Sequence, residues 1–150
     1  MQQTTALLVN LRRIIRLYDK MLRPVCDHYG LAPIEATIIS FLFNNPEKDT
    51  AADIVDLRML SKSNVSLAVE SLIQKSLLQR RQDKEDRRRI HLSLTSQAAP
   101  ITREIESTRE RFRKLIYKGF TEEEKQLFIL FNDRIAENTK SAEEGDCYHE

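Results

Sequence analysis

The sequence predicts a mainly α-helical protein that carries one small β-hairpin. A length of 150 residues suits one compact chain with its own core. Only three residues are Gly and four are Pro, whereas Leu, Ile, Glu, Lys and Arg are abundant, which is typical of helical proteins. The exception is residues 78–95, in which two short apolar segments flank a strongly charged tip, as in a β-hairpin.

The first predicted helix covers about residues 4–29 and has a wide apolar face. Its apolar positions are Leu7, Leu11, Ile14, Tyr18, Met21 and Val25, with Leu8, Ile15 and Leu22 as a second line beside them. A face this wide needs more than one neighbouring element to cover it. Gly30 is expected to end this helix, and Pro33 to open a second helix that ends near Pro46.

Two short helices joined by a tight turn are predicted next. Thr50, with Asp53 in a capping box, is expected to cap the third helix, and Ser61 to cap the fourth. The residues expected to face inward are Ile54, Val55 and Leu57 in the third helix and Val65, Val69, Leu72 and Ile73 in the fourth. The connection, residues 58–60, is short enough for the turn of a helix-turn-helix.

The helical pattern returns after the hairpin. Between Ser96 and Gly119 the apolar face consists of Ile101, Ile105, Thr108, Phe112 and Leu115. A capping box at residues 121–124 opens the last helix, whose apolar residues are Leu127, Phe128, Leu130, Phe131 and Ile135. Residues 141–150 are acidic and poor in apolar side chains, so a flexible tail is expected there.

Positive charge is concentrated in one part of the chain. Residues 58–89 contain nine Lys or Arg and four acidic residues, a net charge of +5, so the remainder carries −4 of the overall +1. A local basic patch on a balanced protein is expected of a nucleic-acid binder. A recognition helix enters the DNA major groove by its N-terminal end, where short polar side chains meet phosphates and base edges.

The outward residues at the start of the fourth helix are therefore candidate DNA contacts. They are Ser61, Lys62, Ser63, Asn64, Ser66 and Leu67. Asn64 can pair with an adenine edge and Leu67 can contact a thymine methyl group, whereas Ser61 and Lys62 are better placed for phosphate. The alternative, an ordinary solvated helix face, is disfavoured by the basic hairpin that follows.

Residues 86–95 resemble the wing of the MarR family of bacterial winged helix-turn-helix regulators, because they combine Asp-x-Arg with a strand ending in Leu-Thr. Gly30-Leu31, residues 77–80 and the Thr-Glu-Glu-Glu opening of the last helix are also similar to that family. The resemblance extends over about residues 4–140. Ser76 and Gln97-Ala98 depart from it, since each stands where the family often has a Gly.

The resemblance implies a single chain, residues 1–150, with two lobes. A winged helix-turn-helix DNA-binding lobe is expected at residues 31–95. A helical dimerisation lobe is expected to be built from residues 4–30 and 96–140.

The resemblance also assigns roles within the wing. Arg88 is expected to reach into the minor groove, which suits a planar and always charged guanidinium. Asp86 is expected to pair with Arg88 and hold the shape of the loop. Lys84, Arg87 and Arg89 are expected to contact the DNA backbone, although a solvated loop residue is the better interpretation for Lys84 alone.

The expected function is that of a transcriptional regulator, more often a repressor, that binds a palindromic operator in double-stranded DNA as a homodimer. The surplus apolar surface of the terminal helices supports the dimer.

The family resemblance adds a possible small aromatic or lipophilic effector in a cleft. The residues that could line a cleft, although they are better explained as core, are Tyr18, Met21, Phe41 and Phe43. No motif of a phosphate loop, metalloprotease or nucleophile elbow is present, so no enzyme is expected.

Two alternatives remain open. The same fold could dock another protein through its arginines, or Cys26 could sense oxidants, although Asp27 and His28 shift a thiol pKa in opposite directions. The distant Cys26 and Cys147 indicate no disulfide framework, and Cys147 with His149 is a weak metal pair, so no cofactor or metal, including zinc, is expected. Without a secretory or membrane-spanning segment, the bacterial or archaeal cytoplasm is the expected location, on the nucleoid when DNA is bound.

Overall fold

The computed structural model describes residues 2–145 of the chain. In this range the elements are α1 (Gln3–Tyr29), α2 (Pro33–Asn44), α3 (Ala51–Arg58), α4 (Lys62–Gln74), β1 (Leu78–Gln82), β2 (Ile90–Leu94), a single 3-10 turn (Ser96–Ala98), α5 (Ala99–Ile116) and α6 (Glu122–Glu144). The chain divides within α5 into two compact units, of which the first ends at Phe112 and the second begins at Arg113. The mainly helical fold with one hairpin is as predicted.

Local capping chemistry sets the ends of the helices in the first unit. Gly30 ends α1 in the left-handed conformation, with φ of 62°, and α2 begins at Pro33. The Thr50 hydroxyl accepts a hydrogen bond from the Asp53 amide at 3.2 Å, and the Ser61 hydroxyl accepts one from the Asn64 amide, also at 3.2 Å. The predicted starts of α2, α3 and α4 are thereby confirmed.

One apolar core joins the helices and the hairpin of the first unit. Its fully buried members include Ile38, Ile39, Ile54, Val65, Leu72, Leu78 and Ile105. The expected inward positions of α4 are confirmed for Val65, Val69 and Leu72. The expectation for Leu57 is wrong, because its side chain is 56% exposed. Ile54 is the one buried residue of the eight-residue α3, so the last turn of this helix lies outside the core.

The hairpin packs on this core through one face only. β1 and β2 pair in antiparallel fashion, with Leu78 opposite Leu94 and Gln82 opposite Ile90. Alternation along the strands puts Leu78, Leu92 and Leu94 on the same face, and this face is the buried one. The Thr95 amide closes the base of the hairpin by donating to the Leu77 carbonyl at 3.0 Å.

The second unit contains the end of α5 and all of α6. Gly119, with φ of 85°, follows α5, and the Thr121 hydroxyl caps α6 by accepting from the Glu124 amide at 3.1 Å. Both boundaries are as predicted. No residue of α6 is buried in the single chain, and its exposed apolar side chains are Leu127, Phe128, Ile129, Leu130, Phe131 and Ile135. α6 continues to Glu144, inside the segment expected to be a tail, whose residues 146–150 lie outside the described range.

Ser76 offers a test of the strain at the end of α4. This residue has φ of 61°, in the left-handed region that favours glycine, and its carbonyl accepts a hydrogen bond from the Thr95 hydroxyl at 2.6 Å. Ser76→Gly keeps that carbonyl and removes the steric penalty on Cβ, so the free energy of unfolding in urea is expected to rise by about 0.5–1 kcal/mol. Ser107→Gly, inside α5, is the control and is expected to lower it by about 0.5–1 kcal/mol. A loss of stability in Ser76→Gly would contradict the assignment.

Candidate nucleic-acid interface

The turn between α3 and α4 presents the start of α4 to solvent. Met59 adopts the left-handed conformation with φ of 51°, and the Leu60 amide donates to the Val55 carbonyl at 3.2 Å, which ends α3. α4 begins immediately afterwards at the Ser61 cap. The arrangement is a helix-turn-helix.

All six candidate contacts on α4 are exposed. Ser61, Lys62, Ser63, Asn64, Ser66 and Leu67 face solvent, whereas Val65, Ala68 and Val69 face the core. Leu67 is 72% exposed, so its side chain is accessible to a ligand. The geometry brings together short polar groups, one cation and one apolar side chain at the positive end of the helix dipole. Their contact with DNA remains a prediction.

A buried carboxylate anchors the other end of α4. Glu35, on α2, is only 4% exposed, and its Oε2 accepts from the Ser71 hydroxyl at 3.0 Å. The Lys75 ammonium donates to both Glu35 oxygens, at 2.9 and 3.0 Å, and to the Gly30 carbonyl at 2.8 Å. The Ala32 amide donates to Oε1 at 2.9 Å. The network joins the start of α2 to the end of α4, and no local sequence pattern indicates it.

The pKa of Glu35 reflects these contacts. Burial alone raises the pKa of this carboxyl group, but the hydrogen bonds from the Ala32 amide, Lys75 and Ser71 outweigh that effect. The net result is a pKa below the ordinary value of 4.5, so the carboxylate is ionised at neutral pH.

The tip of the wing is a hydrogen-bonded turn. Asp83 Oδ2 accepts from the amides of Glu85 at 3.0 Å and Asp86 at 2.9 Å. The Gln82 side-chain amide donates to the Arg87 carbonyl at 2.9 Å. The cationic side chains at this tip, Lys84, Arg87, Arg88 and Arg89, are all exposed. Positive charge therefore lies on a loop whose backbone is held by local hydrogen bonds.

Asp86 braces the loop in a different way from the one expected. Its Oδ1 accepts from the Arg88 main-chain amide at 3.0 Å, and its carbonyl accepts from the Arg89 amide at 3.0 Å. The side chain thus holds the backbone of Arg88 rather than pairing with its guanidinium. The reason is geometric, since an aspartate two residues before an amide closes a local turn.

His91 has a structural role that no local sequence pattern indicates. Its Nδ1 lies 2.8 and 3.0 Å from the two carboxylate oxygens of Asp49, in the connection between α2 and α3, and its Nε2 lies 2.7 Å from Asp83 Oδ1. The hydrogen bonds to Asp83 and Asp49 raise the pKa of His91 above its ordinary 6.5. The hydrogen bond from His91, helped by the Asp86 and Glu85 amides, holds the pKa of Asp83 well below its usual range.

Other candidate residues have simpler surroundings. Cys26 is buried, and burial, with Asp27 next, raises the pKa of its thiol, which disfavours the reactive thiolate. Arg80, on β1, pairs with Glu70 of α4, so this arginine is engaged within the protein.

Cys147 and His149 lie outside the described residues. Among residues 2–145, no three His, Cys, Asp or Glu side chains converge as metal ligands, and no helix is long and apolar enough to cross a membrane.

The four residues that could line a cleft or belong to the core have different environments. Phe41 is buried as expected, and Tyr18 and Met21 are half-buried. The core interpretation is wrong for Phe43, which is 52% exposed at the end of α2 and lines a cavity of about 560 Å³. Leu94, Thr102, Arg103 and Glu106 also line this cavity, which lies entirely within the first unit.

The helix-turn-helix and the adjacent basic hairpin define a winged helix protein. A sequence model described as the MarR family matches residues 29–89, so this part of the chain is similar to that family. Members of the family regulate transcription and are not enzymes, which agrees with the expectation from the sequence. No curated protein matches the chain.

Solved structures are similar over most of the chain. A MarR protein from Peptoclostridium difficile is 19% identical, with a TM-score of 0.79, and the match covers 91% of this chain and 88% of that one. The S. aureus MepR–DNA complex is 15% identical, with a TM-score of 0.74 and coverage of 92% and 96%. Bordetella bronchiseptica BpsR, whose DNA binding is regulated by 6-hydroxynicotinic acid, is 18% identical, with a TM-score of 0.69 and coverage of 90% and 99%. At these identities the likeness shows the fold.

Proposed function

We propose that this protein binds double-stranded DNA at specific sequences and thereby regulates transcription. The observation that carries the proposal is the attachment of two exposed elements to one core. Val65 and Leu72 of α4 and Leu78 and Leu92 of the hairpin are buried in the same cluster, so the exposed start of α4 and the base of the basic wing are attached to one core. A groove-reading helix beside a basic loop can contact adjacent major and minor grooves.

The proposal divides the exposed residues by role. Asn64 and Leu67 read base edges in the major groove, with Ser63 and Ser66 as further hydrogen-bonding groups. Arg88 enters the minor groove. The remaining contacts position the protein on phosphates and make binding salt-dependent; they are Ser61, Lys62, Lys84, Arg87 and Arg89.

The proposed assembly is a homodimer that binds a palindromic operator. The first half of α1 and all of α6, each considered by itself, expose large apolar side chains, among them Leu8 and Ile15 of α1 and Phe128 and Phe131 of α6. Exposed apolar surface of this extent is typical of an interface. Sedimentation equilibrium at micromolar concentration is expected to give twice the chain mass of 17.5 kDa. A mass of 17.5 kDa would contradict the dimer.

The proposed regulation is repression that a small aromatic or lipophilic acid relieves. The cavity beside Phe43 and Leu94 offers apolar walls, and Arg103 offers a cation for a carboxylate. BpsR, of similar fold, supports this class of ligand because 6-hydroxynicotinic acid regulates its DNA binding. An aromatic acid is expected to release bound DNA from the unsubstituted protein. The Arg103→Ala variant is expected to lose this response. Release that Arg103→Ala leaves unchanged would reject this cavity.

Selection of duplexes from a random pool tests the proposed function. The expected result is one recovered palindromic sequence, bound at least about 1,000-fold more tightly than random duplex at physiological salt. The logarithm of the affinity is expected to fall linearly with the logarithm of the salt concentration. If no recovered sequence competes better than random DNA, the regulator function is wrong and docking of an acidic protein partner becomes the better explanation.

Redox sensing through Cys26 is a weaker alternative. The thiol is buried and its pKa is raised, whereas a peroxide-sensing cysteine needs thiolate character and access to solvent. The proposed regulator therefore does not use Cys26 as a sensor.

A further inference from the structure

The imidazole of His91 contacts carboxylates at both ring nitrogens. The closest distances are 2.8 Å from Nδ1 to Asp49 and 2.7 Å from Nε2 to Asp83. A neutral imidazole has one N–H and one lone pair, and an ionised carboxylate can only accept, so a neutral His91 satisfies one of these contacts and opposes the other. Only the imidazolium, with two N–H donors, satisfies both. The two nitrogens point in different directions, which suits a bridge between two carboxylates and not a shared metal ion.

This bridge, called here the His91 clamp and consisting of Asp49, Asp83 and His91, ties the wing to the body of the first unit. Asp83 organises the wing turn through the amides of Glu85 and Asp86. Asp49 belongs to the connection between α2 and α3, and its carbonyl also accepts from the Leu92 amide at 2.8 Å. The clamp therefore joins the loop that carries the arginines to the connection that leads into the helix-turn-helix.

We propose that His91 is a positioning residue whose protonated ring holds the wing tip in place for DNA, so that affinity for DNA decreases as His91 loses its proton. The proposal rests on the proposed function. Deprotonation frees one carboxylate and leaves two acceptors facing each other, which loosens the wing turn or its attachment to the α2–α3 connection. The arginines at the tip then bind from a less ordered loop.

The direction of the pH dependence follows from the groups that face His91. Asp83 and Asp49 stabilise the imidazolium, and Arg81, directly opposite on β1, is the cation that opposes it. Because the carboxylates prevail, the pKa of His91 lies above 6.5 in the folded protein. The clamp is fully closed below that ordinary value and opens as the pH rises through the raised pKa.

The experiment measures affinity for the selected duplex from about pH 6 to about pH 8.5 at constant salt, in a His28→Gln/His149→Gln background in which His91 is the remaining histidine. The affinity for DNA is expected to fall about three- to tenfold over this range. The reason is that the apparent affinity decreases in proportion to the fraction of molecules whose wing still has the binding conformation. His91→Arg keeps donors for both carboxylates at every pH and is expected to abolish the slope. Asp83→Asn is isosteric, and its amide can donate to a neutral Nε2 while its oxygen still accepts the loop amides, so the slope is expected to vanish there too.

A measurement on free protein separates the clamp from the DNA-binding function. Imidazole nitrogen NMR shifts are expected to give His91 a pKa above 6.5 that Asp83→Asn lowers. A pKa at or below 6.5 would overturn the clamp. A raised pKa together with an undiminished pH slope in His91→Arg and Asp83→Asn would overturn the positioning role. Failure of every duplex to bind at any pH would overturn the DNA-binding function and the positioning role with it, while the NMR result would still decide whether the clamp exists.

Discussion

Arg88→Ala is expected to lower the affinity for the selected duplex by about 30- to 1,000-fold. A guanidinium in a narrow minor groove contributes about 1–2 kcal/mol, and a homodimer loses this contribution twice. The backbone of Arg88 is held by Asp86 in an ordered turn, so the substitution removes a side chain without releasing the loop. Fluorescence anisotropy with the selected and a random duplex, at one salt concentration, measures the effect.

Arg87→Ala is the matched control for Arg88→Ala. Arg87 is exposed on the same tip and is assigned to phosphate, so its loss is expected to weaken both duplexes equally and to reduce the salt slope by about one per protomer. Arg88→Lys keeps the charge without the planar fork and is expected to recover little specificity. If Arg88→Ala weakens selected and random duplexes equally, Arg88 is a phosphate contact and the minor-groove assignment fails.

Features set by neighbouring residues could be predicted from the sequence. The caps at Thr50, Ser61 and Thr121 and the stop at Gly30 depend on residues within one helical turn, and the structure has them all. The exposed face of α4 was also predictable, because a buried stripe at helical spacing determines which side chains are left for solvent.

Contacts between distant segments could not be predicted. Asp49 and His91 are 42 residues apart, and Glu35 and Lys75 are 40 apart, so no local pattern marks either pair. Strand alternation places His91 on the face away from the core, which is equally compatible with a solvated side chain. The Asp-x-Arg pattern indicated that Asp86 acts on Arg88, but the choice between guanidinium and main-chain amide depends on loop geometry that the sequence does not specify.

Lys75→Met is expected to lower the free energy of unfolding by about 2–3 kcal/mol at pH 7. The substitution leaves the Glu35 carboxylate buried without its cation, and breaking a buried ion pair is costly. This expected loss of stability is smaller than that for breaking a fully buried ion pair, because the Lys75 side chain is 35% exposed and solvent screens its charge. Urea unfolding at one protein concentration measures the loss.

A Glu35→Gln/Lys75→Met double variant shows whether the unpaired buried charge of Glu35 causes that loss. The amide oxygen of a glutamine still accepts from the Ala32 amide, and no charge is then buried, so the double variant is expected to be more stable than Lys75→Met alone.

The stability of Lys75→Met at acidic pH provides a second measurement. The depressed pKa of Glu35 contributes stability that is present above its ordinary 4.5 and is lost as the pH falls through the folded-state pKa. In Lys75→Met the remaining burial raises that pKa, so the stability deficit is expected to shrink on acidification, as a protonated Glu35 no longer needs a cation. A deficit that is unchanged in acid, together with a double variant as unstable as the sum of its single variants, would assign the effect of Lys75 to packing instead of charge.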